Sequence, residues 1–230
     1  MESKSQFFDL TEKYFAQQAA LYGNDFYLDV GLSSSDQPET LDEFYQQIKN
    51  CQKCRLSQSR KGLVFGTGNP NAKLMCIGEG PGYDEDQQGE PFVGAAGQLL
   101  NRILASIGFA RDEVYIANIV KCRPPGNRNP ESDEVAECMP YLKRQVEMIR
   151  PSLILALGKV AGQNLLGLNE SIAGLRGRVH MFDGVKVLVT YHPAALLRTP
   201  QWKRATWEDI QKLREIYDRD VGDKPPLNKS

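Results

Sequence analysis

The segment LMCIGEGPGYDEDQQGEPFVGAAGQLL, residues 74–100, contains an apolar run, a glycine turn, an acidic stretch and a second apolar pattern. Its apolar run, from Leu74 to Ile77, predicts a buried strand. The turn Gly78-Glu79-Gly80-Pro81-Gly82 follows, where glycine permits tight backbone turns and the close approach of a ligand. We expect an acidic loop at residues 84–86 and a helix that begins near Ala95. Because α/β proteins bind ligands at the carboxyl ends of strands, the segment predicts a ligand site.

The glycine turn does not match the common nucleotide-binding motifs. It lacks the GxGxxG spacing of dinucleotide folds and the GK[ST] ending of a P-loop. A cradle for nucleotide phosphates is therefore not expected.

Strands and helices alternate along the rest of the chain. Further strands are predicted at residues 114–119, 152–157 and 185–190, and residues 175–182 form either a short strand or a turn. Helices are predicted at residues 41–50, 130–150, 158–166 and 203–217. This alternation predicts an α/β fold with three layers, α/β/α, around a central, mostly parallel four-stranded sheet. Four polar or glycine positions come at or just after strand ends and should meet at one edge: Glu79, Asn118, Gly158 and His192.

Size and composition indicate one large domain with extensions. The chain has 230 residues, 41% of them hydrophobic, and a formal net charge of −1. We predict an N-terminal extension with an accessory helix and linker at 1–38, a domain at 39–219 and a disordered tail at 220–230. No run approaches the roughly 20 apolar residues of a membrane span, and the N-terminus does not resemble a signal peptide. The sequence thus predicts a cytoplasmic protein without a membrane partner.

The near-neutral charge does not by itself indicate nucleic-acid binding. Basic residues nevertheless gather in three stretches, at 53–61, 121–128 and 198–204. If the fold brings these stretches together, they form one rim that binds phosphates.

Five cysteines in a chain without an export signal argue against a disulfide framework. Cys51 and Cys54 form a CxxC pair, and Cys122 and Cys138 follow in polar surroundings. Four thiolates suit either a zinc ion or a [4Fe–4S] cluster, and the spacing does not separate the two. Cys76 lies inside the apolar strand and is interpreted as a core residue.

Three stretches together resemble the family 4 uracil-DNA glycosylases, the iron–sulfur branch of the uracil glycosylase superfamily. They are residues 78–100 quoted above, NIVKCRPPGNRNP at 118–130 and YHPAALLR at 191–198, and the resemblance covers roughly residues 41–217. It implies a monomeric DNA N-glycosylase that acts on uracil-containing DNA, releases uracil and leaves an abasic site. It also implies a [4Fe–4S] cluster on Cys51, Cys54, Cys122 and Cys138.

An enzyme that acts on a DNA base takes that base out of the stack and must then hold it. The resemblance implies that Phe92 stacks on uracil. It also implies that the Asn118 amide donates to uracil O4 and accepts from uracil N3–H. His192 binds O2 and stabilises the negative charge as the bond breaks. Gly78 and Gly80 belong to the glycine turn, in which the backbone amides near Glu79 and Gly80 are expected to add donors.

The attacking water lacks its usual partner. Where better-known relatives in the superfamily carry an aspartate, this sequence has Gly80. Glu85 is the preferred candidate for positioning the water, and Glu79 is the other nearby carboxylate. Leu196 and Leu197 are expected to enter the vacated stack, and Arg198 to hold a phosphate.

Two alternatives remain open from the sequence. A glycosylase for hypoxanthine or xanthine differs only by small changes in the pocket. A metal-bearing nucleic-acid-binding protein without catalysis needs neither Asn118 nor His192 at strand ends. Gly82 stands where a bulky gate against thymine would be expected, so pocket shape and Asn118 should set the selectivity.

Overall fold

The computed structural model describes residues 39–227, which form a six-stranded sheet between two layers of helices. The spatial order of the strands is β1-β3-β2-β4-β6-β5. Their bounds are Thr67–Gly68 (β1), Leu74–Gly78 (β2), Tyr115–Asn118 (β3), Leu153–Leu157 (β4), His180–Phe182 (β5) and Val185–Thr190 (β6). The middle four strands are parallel, whereas β1 and β5 pair antiparallel at the two edges. The predicted parallel four-stranded centre is confirmed, with a short strand added on each side.

The helices within residues 39–227 are Leu41–Ile48 (α1), Tyr83–Gln88 (α2), Ala95–Ser106 (α3), Ser132–Ile149 (α4), Lys159–Leu166 (α5), Ile172–Leu175 (α6), Pro193–Arg198 (α7) and Lys203–Asp220 (α8). Five of these eight helices, α1, α3, α4, α5 and α8, lie close to the predicted positions, whereas α2, α6 and α7 are not predicted as helices. The capping box predicted for α1 is present, because Thr40 Oγ1 accepts the Glu43 N–H and the Glu43 carboxylate accepts the Thr40 N–H.

Alternate residues of the buried strands face opposite helix layers. From β2, Met75 and Ile77 pack on one side with α4, α5 and α6, whereas Leu74 and Cys76 pack on the other side with α3 and α8. The strands β2, β3 and β4 are each buried along their whole length, as expected of parallel strands covered on both faces. The three-layer α/β/α prediction is therefore confirmed.

Two local predictions need correction or refinement. The acidic residues 84–86 lie in the short helix α2 rather than in a loop, because the Glu85 carboxylate accepts the Gly82 N–H at the first turn, 3.1 Å away. In the uncertain segment 175–182, the structure has a strand at its end, β5, which pairs with β6.

The predicted extension at 1–38 and residues 228–230 lie outside the described residues. Within the described part of the predicted tail, Lys224 donates to Glu113, and the Pro225 carbonyl accepts from Arg214. No helix within residues 39–227 combines the length and the apolar character needed to cross a membrane.

Strand order places a crevice at the carboxyl ends of the central strands. After β2 the chain forms its neighbour β3 and then crosses to β4 on the opposite side of β2. Such a reversal of direction leaves an opening beyond the strand ends, where open α/β sheets bind ligands.

Candidate active site

A cleft of about 340 Å³ lies at this edge of the sheet. The glycine turn, the loop after β3 and the start of α7 contribute its walls. Seven of the non-cysteine site residues expected from the sequence line it: Glu79, Gly80, Glu85, Phe92, Asn118, His192 and Arg198.

Asn118 lies at the end of β3 with 2% of its surface exposed. Its Oδ1 is the one buried side-chain nitrogen or oxygen within residues 39–227 that has no hydrogen-bond partner. An unpaired buried acceptor costs about 1–3 kcal/mol, so its position in a cleft is consistent with a role in binding. Since Asn118 also lines the cleft, its amide is available to a ligand that donates a hydrogen bond there.

Phe92 has a backbone φ of 55°, which is rare for an aromatic residue. Arg111 clamps this turn, because its guanidinium donates to the carbonyl oxygens of Pro91 at 2.6 Å and Phe92 at 3.2 Å. A Cβ on Gly97 would lie 1.8 Å from the Phe92 oxygen, so only glycine permits this packing. Both contacts hold the Phe92 ring at the cleft.

Gly78 ends β2 directly beside this ring and the Asn118 amide. A Cβ there would lie 2.4 Å from Asn118 Oδ1 and 2.6 Å from Phe92 Cζ. Gly78 therefore does not line the cleft but makes room for the two side chains that do.

His192 is the N-cap of α7 and stacks on Phe92 with ring centroids 5.5 Å apart. Its Nδ1 accepts the Ala194 N–H at 3.1 Å, so the proton of the neutral ring is on Nε2. Burial and, to a smaller extent, the positive charge of Arg198 lower the pKa of His192 to about 4, although the negative charge of Glu85 acts in the opposite direction. At neutral pH the ring is a neutral hydrogen-bond donor.

The two carboxylates of the cleft have different surroundings. Glu85 accepts three backbone N–H groups, from Gly82 at 3.1 Å, Val93 at 3.0 Å and Gly94 at 3.1 Å. This side chain ties α2 to the turn after Phe92. Burial raises the pKa of Glu79, and no charged or hydrogen-bonding group of the described chain offsets the effect.

Two predicted surface roles change in the structure. Leu196 is only 1% exposed, because it packs inward from α7, so in this conformation it is not available to enter the DNA stack. Its neighbour Leu197, for which the same role was predicted, is 46% exposed, and that role stays a prediction. In the predicted basic stretch 121–128, Lys121 is fully buried and donates to the Asn118 carbonyl oxygen at 3.0 Å, so it is not part of a rim.

The four cysteines expected to bind a metal group line one separate, small cavity: Cys51, Cys54, Cys122 and Cys138. Three of their sulfurs accept hydrogen bonds, Cys122 from Arg60 at 2.9 Å, Cys138 from the Lys121 N–H at 3.2 Å and Cys51 from the Tyr141 hydroxyl at 3.3 Å. Within residues 39–227, no three or more Cys, His, Asp or Glu side chains are grouped to hold a single metal ion. Cys76 is buried in β2, which confirms its reading as a core residue.

Sequence reasoning missed Arg111 and Gly97, the two residues that shape the Phe92 turn. Arg111 begins a single 3₁₀ turn, and its partners lie 19 and 20 positions upstream. No local pattern links them, so the signal exists only in the folded chain.

Residues 65–211 match the model of the Uracil DNA glycosylase superfamily. A type-4 uracil-DNA glycosylase of Archaeoglobus fulgidus is 45% identical over 77% of this chain and 94% of its own. That of Saccharolobus solfataricus is 46% identical, covering 77% and 86%, and that of Thermotoga maritima is 40% identical, covering 79% and 97%. The chain therefore belongs to the type-4 family of the uracil DNA glycosylase superfamily.

Proposed function

We propose that this chain is a uracil-DNA glycosylase, which hydrolyses the N-glycosidic bond of a flipped-out deoxyuridine and leaves an abasic site. The observation that carries the proposal is the unpaired Oδ1 of Asn118 in the cleft. Uracil presents an N3–H donor beside the O4 acceptor, and a side-chain amide satisfies both at once. The type-4 relatives named above support the same activity.

Phe92 offers the base a stacking surface, and His192 offers it a hydrogen-bond donor. Uracil stacks on Phe92, whose turn is rigid, while the Nε2–H of His192 donates to uracil O2. As the glycosidic bond breaks, negative charge develops on this oxygen. A fixed neutral donor stabilises that charge without any reorganisation, in the manner of an oxyanion hole.

Glu79 is the better placed of the two carboxylates to position the attacking water. Three backbone N–H groups occupy both oxygens of Glu85, whereas burial makes Glu79 a stronger base. The role expected of Glu85 is thus assigned in part to Glu79, with Glu85 holding the turn that carries Phe92. Arg198, exposed beside the cleft, supplies a positive charge for a DNA phosphate.

The activity is tested with DNA that carries a single uracil, read as alkali-labile strand breaks. The wild type should cut at the uracil, and His192→Ala should be slower by about 100-fold or more, the usual loss of an oxyanion donor. His180→Ala is the control, because His180 lies on the edge strand β5, outside the cleft. Failure of the wild type to release uracil would overturn the proposal, and release of hypoxanthine instead would replace it with the purine alternative.

A [4Fe–4S] cluster is the cofactor we propose for Cys51, Cys54, Cys122 and Cys138. Four thiols around one cavity match its need for one thiolate at each iron corner. Four thiolates also suit a zinc ion, and the resemblance to the iron–sulfur branch of the superfamily is what favours the cluster. When bound, the cluster links the segment after α1, the loop after β3 and helix α4.

Metal analysis tests the cofactor independently of activity. The purified chain should contain about four iron atoms and about four acid-labile sulfides. Cys138→Ala should lose both, whereas Cys76→Ala, the matched cysteine outside the cavity, should keep them. Zinc without sulfide would contradict the assignment. The monomeric state and cytoplasmic location expected from the sequence stay predictions.

A further inference from the structure

Tyr83 is an exposed aromatic residue beside the uracil cleft to which the mechanism gives no role. It begins α2 immediately after Gly82, which lines the cleft. Its exposed fraction is 58%, and among the large apolar side chains of residues 39–227 only Met181 is as exposed. In a protein that binds DNA, an aromatic ring this open to solvent beside the binding cleft can serve as a stacking surface for a base.

The ring is held in place by a residue of the loop after β3. The Arg123 guanidinium lies 5.1 Å from the centroid of the Tyr83 ring, at the distance of a cation–π contact. Arg123 Nε also donates to Asn127 Oδ1 at 2.7 Å, and Asn127 lines the cleft. The pair therefore connects α2 with the loop after β3 and presents a preorganised aromatic surface at the cleft opening.

We propose that Tyr83, supported by Arg123, is a stacking subsite for the nucleobase next to the flipped deoxyuridine in the same strand. This inference rests on the proposed uracil-DNA glycosylase activity. When a nucleotide leaves the stack, its neighbours lose a stacking partner on one face. An aromatic side chain restores that contact with little sequence preference, because every base has a π-face. The positive charge of Arg123 adds attraction for the strand that carries this base.

The subsite is tested on single-stranded DNA in which the base on either side of the uracil is replaced by an abasic spacer. On the unmodified strand, Tyr83→Ala should lower kcat/KM about tenfold, a typical loss of one base–aromatic stack. On the strand with the spacer at the contacted side, the wild type should lose the same factor and Tyr83→Ala should lose nothing further. The base that stacks on Tyr83 is on the side where the spacer lowers kcat/KM for the wild type but not for Tyr83→Ala.

Controls separate stacking from structural damage. Tyr83→Phe should keep the wild-type rate, because the ring and not the hydroxyl makes the contact. Met181→Ala removes an equally exposed side chain on β5 and should change nothing. Inhibition by free uracil should be the same for the wild type and Tyr83→Ala, since the base pocket is intact.

Three results would overturn the subsite. They are an unchanged kcat/KM for Tyr83→Ala, an equal loss on every spacer strand, and a loss confined to duplex DNA, which would assign the contact to the opposite strand. A wild type that releases no uracil from any strand would instead mark the failure of the proposed function.

Discussion

The protonation state of His192 follows from a single backbone contact. The Ala194 N–H occupies Nδ1, and burial opposes a positive charge on the ring. The pKa is lowered from its ordinary value of 6.5 to about 4, so the ring is neutral at every pH well above 4. Between pH 4 and 6.5, His192 is protonated in the unfolded chain but neutral in the folded chain. Folding therefore loses stability as the pH falls through this window.

We expect an NMR titration of His192 to show no inflection between pH 5.5 and 8. The chain has only two histidines, so the spectrum of His180→Ala assigns the His192 signal. Uracil release should likewise show no dependence on the ionisation of His192 in this range. An inflection of the His192 signal near pH 6.5 would show a solvated ring and contradict the neutral-donor mechanism.

At the scale of elements, the turn between α2 and α3 depends on the Arg111 clamp. An L-residue pays about 1–2 kcal/mol for a left-handed conformation, so the Phe92 turn needs outside support. Arg111 supplies it by bridging two successive carbonyl oxygens, while Asn101 Oδ1 accepts from the same guanidinium at 3.1 Å.

Arg111→Ala should lower kcat/KM about tenfold through Phe92 alone, as one to two kcal/mol of turn stability implies. Arg111→Lys should recover little, because an ammonium group cannot form the same planar fork. Exposed Arg102 on α3 provides the control, Arg102→Ala. In a double-mutant cycle, Arg111→Ala should leave kcat/KM almost unchanged when Phe92 is already replaced by alanine. Additive losses would show that Arg111 acts elsewhere.

The elements that sequence could predict are those with local signals. Continuous apolar runs identified β2, β3, β4 and β6, and their shared edge brought Asn118 and His192 together as expected. The edge strand β1 has only two residues, too few to show a periodic pattern, so the sequence does not predict it.

Site details that depend on tertiary contacts could not be predicted. Glu85 was expected to position water, but its N–H partners at Val93 and Gly94 lie eight and nine residues away. Likewise, two adjacent leucines look identical in sequence, and only the packing of α7 buries Leu196 and exposes Leu197.

At the scale of the whole molecule, an ion-pair network joins the segments that carry the four cysteines. The fully buried Glu134 of α4 binds Arg128 at 2.6 Å and Arg55 at 3.0 Å, the latter directly after Cys54. The network thus joins the same three segments as the proposed cluster. The hydrogen bonds and charge of Arg128 lower the pKa of Glu134 to about 2.

Glu134→Gln should lower the free energy of unfolding at pH 7 by about 2 kcal/mol, because it removes the charge that pairs with Arg128 and Arg55. The loss is no larger because Arg55 is half exposed and solvent screens its charge. The folded pKa of Glu134 lies below its unfolded value of 4.5. This stabilisation is therefore complete above pH 4.5 and is lost as the pH falls toward 2. Urea unfolding at pH 7 and 3.5 should show the difference from wild type shrinking.

Glu215→Gln, which changes an exposed carboxylate on α8, controls for the loss of charge alone. If the two variants behave alike at pH 7, or if the wild-type advantage is equal at both pH values, the network does not stabilise the domain as described.

The central claim is that the cleft selects uracil through the amide of Asn118. The most direct measurement compares release of uracil and of cytosine from otherwise identical single strands by the wild type and Asn118→Asp. A carboxylate cannot donate to uracil O4 and repels it, whereas the cytosine amino group can donate to it. We predict that the wild type releases uracil alone, and that Asn118→Asp loses at least about tenfold on uracil, with a higher ratio of cytosine to uracil release. An Asn118→Asp variant with unchanged discrimination would contradict the account.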